Sequence, residues 1–262
     1  MNKTRNKQNS STIGIVGGVG PYAGLDLNKK IFDQTEAKTD QDHLKVILFS
    51  ASADISDRTE YLLGQNRVNP AVSIFKILDK LESVGVSLAA IPCNTAHAPD
   101  IFDVIIDKLE ENGNQIEVVN MIEQVITFLK HIHPNVHNVG ILATNGTVQS
   151  GLYKTRLEPE GFKVLYPSKD DQLLKIHSSI YDARFGIKAN SNPVTETAKK
   201  GVIEGIEKLI RRGAECIILG CTELPLAIRV PKIRDISIID PTLILARALI
   251  NKVAPEKLKP LT

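Results

Sequence analysis

The sequence predicts an α/β protein of two similar lobes, each a parallel sheet flanked by helices, related by pseudo-twofold symmetry with the site in the cleft. Three observations predict this fold. Short β-rich runs alternate with longer stretches of helical period, and the chain repeats part of its own sequence once. Its 262 residues, 42% of them hydrophobic, can fill either one large core or two cores of ordinary domain size.

Eight strands are predicted from the β-rich runs: Ile13 to Gly17, Val46 to Ser50, Leu88 to Ile91, Glu117 to Val119, Val139 to Ala143, Lys163 to Tyr166, Cys216 to Leu219 and Ser237 to Ile239. The stretches between them predict amphipathic helices. In PAVSIFKILDKLESVG, Val72, Phe75 and Leu78 recur at helical spacing, and Gly85 ends the helix. Because ligands bind at the carboxyl ends of parallel strands, the residues that follow the strands are candidates for a site.

The internal repeat pairs two segments with two others. IGIVGG, from Ile13, resembles VGILAT, from Val139, and GVSLAAIPCNTAHAP, from Gly85, resembles GAECIILGCTELPL, from Gly213. The spacing between the paired segments is nearly the same in both halves. The repeat predicts two lobes that face each other; a chance similarity between two βα units is the alternative.

The prediction divides the chain into an arm and two lobes. Residues 13–118 plus 238–262 are predicted to form the first lobe, and residues 119–237 the second. Residues 1–12, MNKTRNKQNSST, are basic and polar, and no apolar segment of the kind found in signal peptides follows them. They predict a disordered N-terminal arm on a cytoplasmic protein.

The charge and the cysteine content of the chain limit the kinds of molecule that it is expected to bind. The 32 basic and 30 acidic residues give a net charge of +2, which provides no reason to expect a nucleic-acid or membrane surface. No segment of the sequence reaches the ~20 apolar residues of a membrane span. Three cysteines cannot form a fully paired disulfide set, so reduced thiols are expected. A small molecule is the predicted partner.

Two of the three cysteines come directly after a predicted strand. Cys93 and Cys221 are each followed by polar residues, whereas Cys216 lies inside a strand. A thiol near a helix N-terminus has a pKa lowered from its usual ~8.5, which suits an acid or a base. Two such thiols on opposite sides of a carbon acid suit a two-base proton transfer that inverts configuration. An ordinary buried cysteine, the alternative, fits Cys216 well and the other two poorly.

The residues after each cysteine suit an anion. Asn94, Thr95 and Ala96 present backbone N–H groups and short side chains at a predicted helix start, where a carboxylate binds readily. Thr222 does the same in the second lobe. Ordinary helix capping by Asn and Thr is the alternative.

Metal and nucleotide sites are weaker interpretations. Cys93, His97, Cys216 and Cys221 could be written as a zinc set, but their spacing does not match zinc knuckles, so no metal is predicted. His97 is better interpreted as a helix residue or a partner of Cys93. GIVGGVGP follows a strand but lacks the G-x-G-x-x-G spacing, so no dinucleotide cofactor is predicted.

Six motifs along nearly the whole chain carry a resemblance to a known family. They are GIVGGVGP, SDRTEYLLG (Ser56 to Gly64), PCNTAH, VVNMIE (Val118 to Glu123), FGIKAN (Phe185 to Asn190) and GCTELPL (Gly220 to Leu226). The chain resembles the cofactor-independent aspartate/glutamate racemase family, specifically its aspartate racemase branch. The resemblance implies a two-lobed fold, no cofactor and a homodimer.

By this resemblance, Cys93 and Cys221 match the two cysteines that donate and accept the proton. Arg58 and Lys188 match basic residues that hold the substrate's side-chain carboxylate; without the motifs, each would be interpreted as a solvated surface cation. The residues that match those around the α-carboxylate are Asn94, Thr95, Ala96 and Thr222.

Two differences from glutamate racemases favour the aspartate branch. Glutamate racemases have sequences similar to Phe-Asp-Ser-Gly at the end of the first strand and to Cys-Thr-His at the second cysteine. This chain has Gly17 to Gly20 at the first position and Glu223 in place of the histidine. Both cysteines are kept, which implies reversible turnover.

The sequence therefore predicts an isomerase, an amino-acid racemase that interconverts L- and D-aspartate, with glutamate as a further substrate, through Cys93 and Cys221. Two other classes stay open: a related two-cysteine enzyme of the hydantoin racemase, maleate isomerase or malonate decarboxylase type, and a non-catalytic amino-acid-binding module. Arg58 and Lys188 argue for a second substrate carboxylate, which hydantoins lack. The presence of both cysteines argues against the non-catalytic module.

Overall fold

The computed structural model describes residues 12–261, which form two sheets. The strands are β1 (Thr12–Gly17), β2 (Val46–Ser50), β3 (Val86–Ala90), β4 (Glu117–Val119), β5 (Asn138–Ala143), β6 (Lys163–Leu165), β7 (Cys216–Gly220), β8 (Lys232–Ile233) and β9 (Ile236–Ile239). All eight predicted strands are present, and their ends differ from the prediction by two residues at most. β8 escapes prediction because two residues are too few for a hydrophobic pattern.

The helices occupy the connections between the strands. They are α1 (Pro21–Asp33), α2 (Arg58–Leu62), α3 (Ala71–Ser83), α4 (Pro99–Glu111), α5 (Met121–Ile132), α6 (Asn145–Gln149), α7 (Leu152–Leu157), α8 (Lys169–Asp171), α9 (Ser178–Tyr181), α10 (Glu196–Arg211), α11 (Leu224–Ala227) and α12 (Pro241–Val253). A π-helix, Gln172–His177, joins α8 to α9, and a 3₁₀ turn, Asn94–His97, lies between β3 and α4.

The helix predicted from residues 70–85 is α3, but its buried face differs from the predicted one. Leu78 is buried and Phe75 packs against the core, as the spacing predicts. Val72 is 40% exposed, because the buried face is centred on Ile74 and Leu78 instead. A helical period alone does not decide which of two adjoining apolar rows faces the sheet.

The two sheets have matching topologies. The first has the strand order β2-β1-β3-β4 and the second the order β6-β5-β7-β9-β8. All paired neighbours are parallel except β8 and β9. β3 and β7, which precede Cys93 and Cys221, pair with β1 and β5 at the centre of each sheet. The sequence repeat therefore corresponds to two equivalent sheets, and the predicted two-lobed α/β fold is confirmed.

The sheets divide the chain close to the predicted lobe boundaries. Val119 ends β4 in the first sheet, and Ile238 and Ile239 lie in β9 of the second sheet. The predicted boundaries themselves, between residues 118 and 119 and between residues 237 and 238, stay predictions. The predicted arm, residues 1–12, lies outside the described residues except for Thr12, which begins β1.

The last long helix, α12, packs onto the first lobe. Its Leu245 and Leu249 are fully buried together with Ile15 of β1 and Leu27 of α1. Burying a side chain of this size contributes about 1.5–3 kcal/mol. α12 also packs against α5, so it contacts elements on both sides of the boundary between the sheets. Within residues 12–261, no helix combines the length and the apolar character needed to cross a membrane.

Candidate active site

The carboxyl ends of the two sheets meet around a small cavity, here named the inner cavity. Its volume is about 10 Å³, room for about one water molecule. The residues that line it are Val19, Arg58, Thr59, Cys93, Asn94, Thr95, Thr144, Tyr181, Lys188, Cys221, Thr222 and Glu223. Every predicted site residue is among them except Ala96. The Ala96 methyl group is fully buried in the hydrophobic core of the first lobe, and the role expected of its backbone N–H group near a carboxylate stays a prediction.

Cys93 and Cys221 reach the inner cavity from different lobes. Cys93 follows β3 and precedes the 3₁₀ turn, and Cys221 follows β7; both are buried. The third cysteine, Cys216, is fully buried inside β7 in a hydrophobic cluster. Burial raises the pKa of the Cys216 thiol to about 12, so it stays protonated at neutral pH.

The surroundings of Cys221 differ from those predicted for a thiol at a helix N-terminus. The pKa of Cys221 is raised, first by burial and then by the nearby Glu223 carboxylate, whereas the sequence predicts a lowered value. The prediction is wrong for Cys221 because burial, the largest cause, and the Glu223 carboxylate outweigh the opposing charge of Lys188.

Glu223 is the centre of a buried polar group. The Cys221 thiol donates to Glu223 Oε2 at 3.0 Å, and Lys188 Nζ donates to Oε1 at 3.3 Å. Burial acts to raise the pKa of Glu223, but Lys188, the thiol hydrogen bond and Arg58 outweigh it and lower the pKa. Glu223 is therefore a carboxylate at neutral pH. Lys188 also lies 4.9 Å from the ring centroid of Tyr181, a cation–π contact.

Arg58 begins α2 and is buried, which is rare for a guanidinium. Its terminal nitrogens donate to the backbone carbonyls of Val19 at 3.0 Å and Ser56 at 3.2 Å, and these bonds fix the guanidinium plane. Its Nε has no hydrogen-bond partner in the described part of the chain. Burial acts to lower the pKa of Arg58, but nearby acidic groups, among them Asp57 and Glu223, raise it overall. The fixed cation with a free donor suits a carboxylate.

Asn94 offers a second free donor. Its Oδ1 accepts a hydrogen bond from the Tyr153 hydroxyl at 2.5 Å, which fixes the orientation of the amide. Its buried Nδ2 has no hydrogen-bond partner among residues 12–261. A buried donor without a partner costs about 1–3 kcal/mol, so an anionic ligand that accepts from it would recover that energy.

Hydrogen bonds and close packing join the lobes around the inner cavity. The Thr59 hydroxyl of the first lobe donates to Thr144 of the second at 3.0 Å, and the Tyr181 hydroxyl donates to Asp57 Oδ2 at 2.9 Å. Gly146 of α6 packs directly on α2, since a Cβ atom at this glycine would lie 2.8 Å from Thr59 Cα. The narrowness of the cavity follows from this close approach.

Comparison with known proteins places the chain in a family. Residues 16–249 match the family model described as Asp/Glu/Hydantoin racemase. The chain belongs to this family. It is similar to the aspartate racemase of Picrophilus torridus, with 30% identity, coverage of 95% of this chain and 96% of that chain, and a TM-score of 0.78. It is also similar to an aspartate racemase homologue from Pyrococcus horikoshii, with 25% identity, coverage of 93% and 99%, and a TM-score of 0.67.

A curated relative extends the similarity. The broad specificity amino-acid racemase RacX of Bacillus subtilis is 24% identical over 244 residues, which cover 91% of this chain and 96% of that protein. The resemblance drawn from the six motifs is thus confirmed at the level of the family. As a member of this racemase family, the chain is an isomerase.

Several residues that line the inner cavity of this racemase-family chain were not predicted. Thr144 follows β5, and the sequence repeat, in which VGILAT ends at this residue, is a signal that could have found it. Thr59 lies in SDRTEYLLG next to the predicted Arg58. Tyr181 ends α9, and its position in the sequence gives no signal of a site. Glu223 distinguishes this sequence from those of glutamate racemases, but the sequence alone assigns no role to its side chain.

His97 connects Cys93 to the start of α5. Its Nδ1 bonds the Cys93 carbonyl at 2.9 Å, and its Nε2 accepts from the Met121 N–H at 3.2 Å. Because a backbone amide only donates, Nε2 carries no proton and Nδ1 is the donor. Burial lowers the pKa of His97 to about 4, so the ring is neutral. Both ring nitrogens are occupied, and no cluster of three possible metal ligands occurs within residues 12–261.

The neutral His97 should make the protein less stable as the pH falls. The unfolded chain takes up this proton near pH 6.5, but the folded chain does so only near pH 4, since burial lowers the pKa of His97 to about 4. The free energy of unfolding should therefore fall between these pH values, by about 3 kcal/mol. Urea denaturation across this pH range measures the fall. His97→Gln should remove this part of the slope and His131→Gln, at an exposed position, should keep it; equal slopes in H97Q and the unsubstituted protein would contradict the prediction.

Proposed function

We propose that the chain interconverts L- and D-aspartate by a two-base mechanism, in which Cys93 and Cys221 act on opposite faces of the substrate Cα without a cofactor. One observation carries the proposal: two cysteines from different lobes line one cavity together with two cations, Arg58 and Lys188. The cavity thus combines two groups that can exchange protons with two that attract carboxylates. A homodimer, which the motif resemblance implies, is part of the same proposal.

The proton transfers balance within the site. One cysteine, as the thiolate, removes the Cα proton and becomes a thiol. The other, as the thiol, delivers its proton to the opposite face of Cα and becomes a thiolate. The roles of Cys93 and Cys221 are thereby exchanged after each turnover, so the same site acts on either enantiomer. Transfer by a positioned acid or base typically contributes about 10²- to 10⁴-fold to the rate.

The α-carboxylate gains negative charge while the Cα proton is absent. We assign this carboxylate to Asn94, Thr95 and Thr222, which line the cavity beside the two cysteines. The free Nδ2 of Asn94 supports the assignment, because it is a buried donor held in place by Tyr153. Donors that are already oriented stabilise developing charge without having to reorganise.

The side-chain carboxylate is assigned to Arg58 and Lys188. Both residues line the inner cavity and also an adjoining outer cavity of about 180 Å³, so they stand where the two spaces meet. A substrate with a second carboxylate can reach both cations while its Cα lies near the cysteines. The similarity to the aspartate racemase of Picrophilus torridus over 95% of this chain favours aspartate, with glutamate as the further substrate.

Racemisation in D₂O tests the proposal. Starting from either enantiomer of aspartate, the product enantiomer should carry one deuterium at Cα from the first turnovers, while the recovered substrate stays unlabelled, because each face has its own acid or base. Chiral chromatography with mass detection measures both pools. Deuterium that appears in the recovered substrate as fast as in the product would indicate a single base. Absence of exchange with either enantiomer would refute racemase activity on aspartate, and the same assay with glutamate and asparagine tests the need for a second carboxylate.

A further inference from the structure

The two cysteines differ in their hydrogen bonds. The Cys221 thiol donates to Glu223 Oε2 at 3.0 Å, and Glu223 is also within 3.5 Å of the Thr222 hydroxyl. Cys93 and Arg58 both line the inner cavity, but no hydrogen bond joins the Cys93 thiol to a carboxylate within residues 12–261. Cys221 therefore has a hydrogen-bonded carboxylate beside it, and Cys93 does not. The two halves of the site are equivalent in fold but differ in this contact.

The Glu223 carboxylate is held in place from several sides. Its side chain is 5% exposed, and Lys188 Nζ donates to its other oxygen, Oε1, at 3.3 Å. A Cβ atom at Gly20 would lie 2.6 Å from Oε1, and Gly20 has a φ of 127°, in the region that favours glycine. The glycine-rich turn after β1 thus leaves room for this carboxylate. The position of Glu223 beside Cys221 follows from the packing of both lobes.

The other ionisable groups around Cys221 do not cancel this arrangement. Lys188 and Arg58 are cations, and both act to keep Glu223 ionised. The phenols of Tyr153 and Tyr181 have pKa values raised by burial, so both are neutral at neutral pH. The net effect is that the pKa of Cys221 is raised, by burial first and by Glu223 second, with Lys188 opposing.

We propose that the Glu223 carboxylate holds the proton on Cys221 in the resting protein, so that Cys221 is the acid and Cys93 the base when substrate first binds. This inference rests on the proposed two-cysteine function and assigns the starting role of each cysteine. In the first transfer, Cys93 as thiolate takes the Cα proton, and Cys221 gives its proton to the opposite face and becomes a thiolate beside Glu223. Loss of the Cys93 proton to water, together with return of a proton from water to Cys221, restores the resting form.

Alkylation by iodoacetamide reports on each thiol separately, because the thiolate is the form that reacts. Mass spectrometry of the peptides that contain Cys93 and Cys221 should show that Cys93 is alkylated at lower pH than Cys221. Glu223→Gln keeps the size of the side chain and an acceptor oxygen but removes the charge. It should move the alkylation of Cys221 to lower pH by about one pH unit, which is about tenfold faster reaction at a given pH, and leave Cys93 unchanged.

Control variants separate the charge effect from general damage. Glu223→Asp keeps the charge and should keep Cys221 slow to react. Glu196→Gln removes a carboxylate at a surface position, where the side chain is 88% exposed, and should change neither thiol. Faster alkylation of Cys93 in the unsubstituted protein, relative to Cys221, supports the inference. Equal Cys221 reactivity in E223Q and the unsubstituted protein, or a Cys221 that reacts before Cys93, overturns it.

Steady-state kinetics separate this inference from the proposed function. The high-pH limb of the kcat/KM profile, where Cys221 loses its proton, should move to lower pH in E223Q. Because the two enantiomers have equal free energies, kcat/KM is equal in the two directions, and the shift should be the same for both. If E223Q changes the alkylation of Cys221 but the unsubstituted protein racemises no acidic amino acid, the proposed function fails and the proton-holding role of Glu223 is supported. If the protein racemises aspartate and Cys221 is unaffected by E223Q, the inference fails and the proposed function stands.

Discussion

Alanine at either Cys93 or Cys221 should lower kcat for aspartate racemisation by about 10²- to 10⁴-fold in both directions, because one face of Cα then lacks its acid or base. Either loss should slow both directions alike, since racemisation needs a proton removed from one face and a proton delivered to the other. Polarimetry or chiral chromatography from each enantiomer measures the rate.

Cys216→Ala is the matched control for these variants. Cys216 is fully buried within β7, four residues before the strand ends at Gly220, and it does not line the inner cavity. It should lose some stability through the small cavity left behind but keep most of its activity. Thermal unfolding of all three variants separates loss of activity from loss of fold. Similar activity in C93A, C221A and C216A would refute the assignment of the two catalytic cysteines.

Arg58→Ala should raise the KM for aspartate by about 10- to 100-fold, because a hydrogen bond to a charged group contributes about 1.5–3 kcal/mol. The fall in kcat should be smaller, since Arg58 is assigned to the carboxylate remote from Cα. Initial rates over a range of aspartate concentrations give both constants. Arg184→Ala is the control, because its side chain is 84% exposed and it lies in the same segment as Lys188. An unchanged KM in R58A would show that the side-chain carboxylate is held elsewhere.

Substitution of Lys188 tests the binding of the side-chain carboxylate less directly than substitution of Arg58 does. Its loss would leave the Glu223 carboxylate buried without its cation, which costs about 3–5 kcal/mol in comparable buried pairs. Lys188→Met is therefore best made together with Glu223→Gln, so that neither charge is left alone. Arg58 has its own backbone acceptors at Val19 and Ser56, and its removal leaves neutral carbonyls behind.

Most of the fold could be predicted because its signals are local. The β-rich runs and the helical periods between them depend on neighbouring residues, and the repeat from Ile13 and Val139 relates two strands that prove equivalent. The cysteines and the basic residues could be predicted because they lie in recognisable motifs. The motifs do not indicate that the Ala96 side chain faces the core, since nothing in PCNTAH distinguishes a residue that faces the cavity from one that faces the core.

What the sequence could not predict depends on contacts between distant segments. The lowered thiol pKa was predicted from the strand-to-helix pattern, but burial, Glu223 and Lys188 decide the pKa of Cys221, and the last of these comes from another segment. Likewise, the bonds of His97 to Cys93 and Met121 require the packing of α5 against the first lobe. Tyr181 reaches Asp57 only because the lobes face each other.

The narrowness of the inner cavity has a consequence for the timing of the reaction. At about 10 Å³ the inner cavity is too small for an amino acid, so we expect the proposed substrate to bind only when the contacts of Thr59 with Thr144 and of Tyr181 with Asp57 open. The rate of substrate capture should then depend on how often these contacts open rather than on how often substrate and protein collide. An inhibitor that resembled the substrate would meet the same limit, and its onset would be slow even if its final affinity were high.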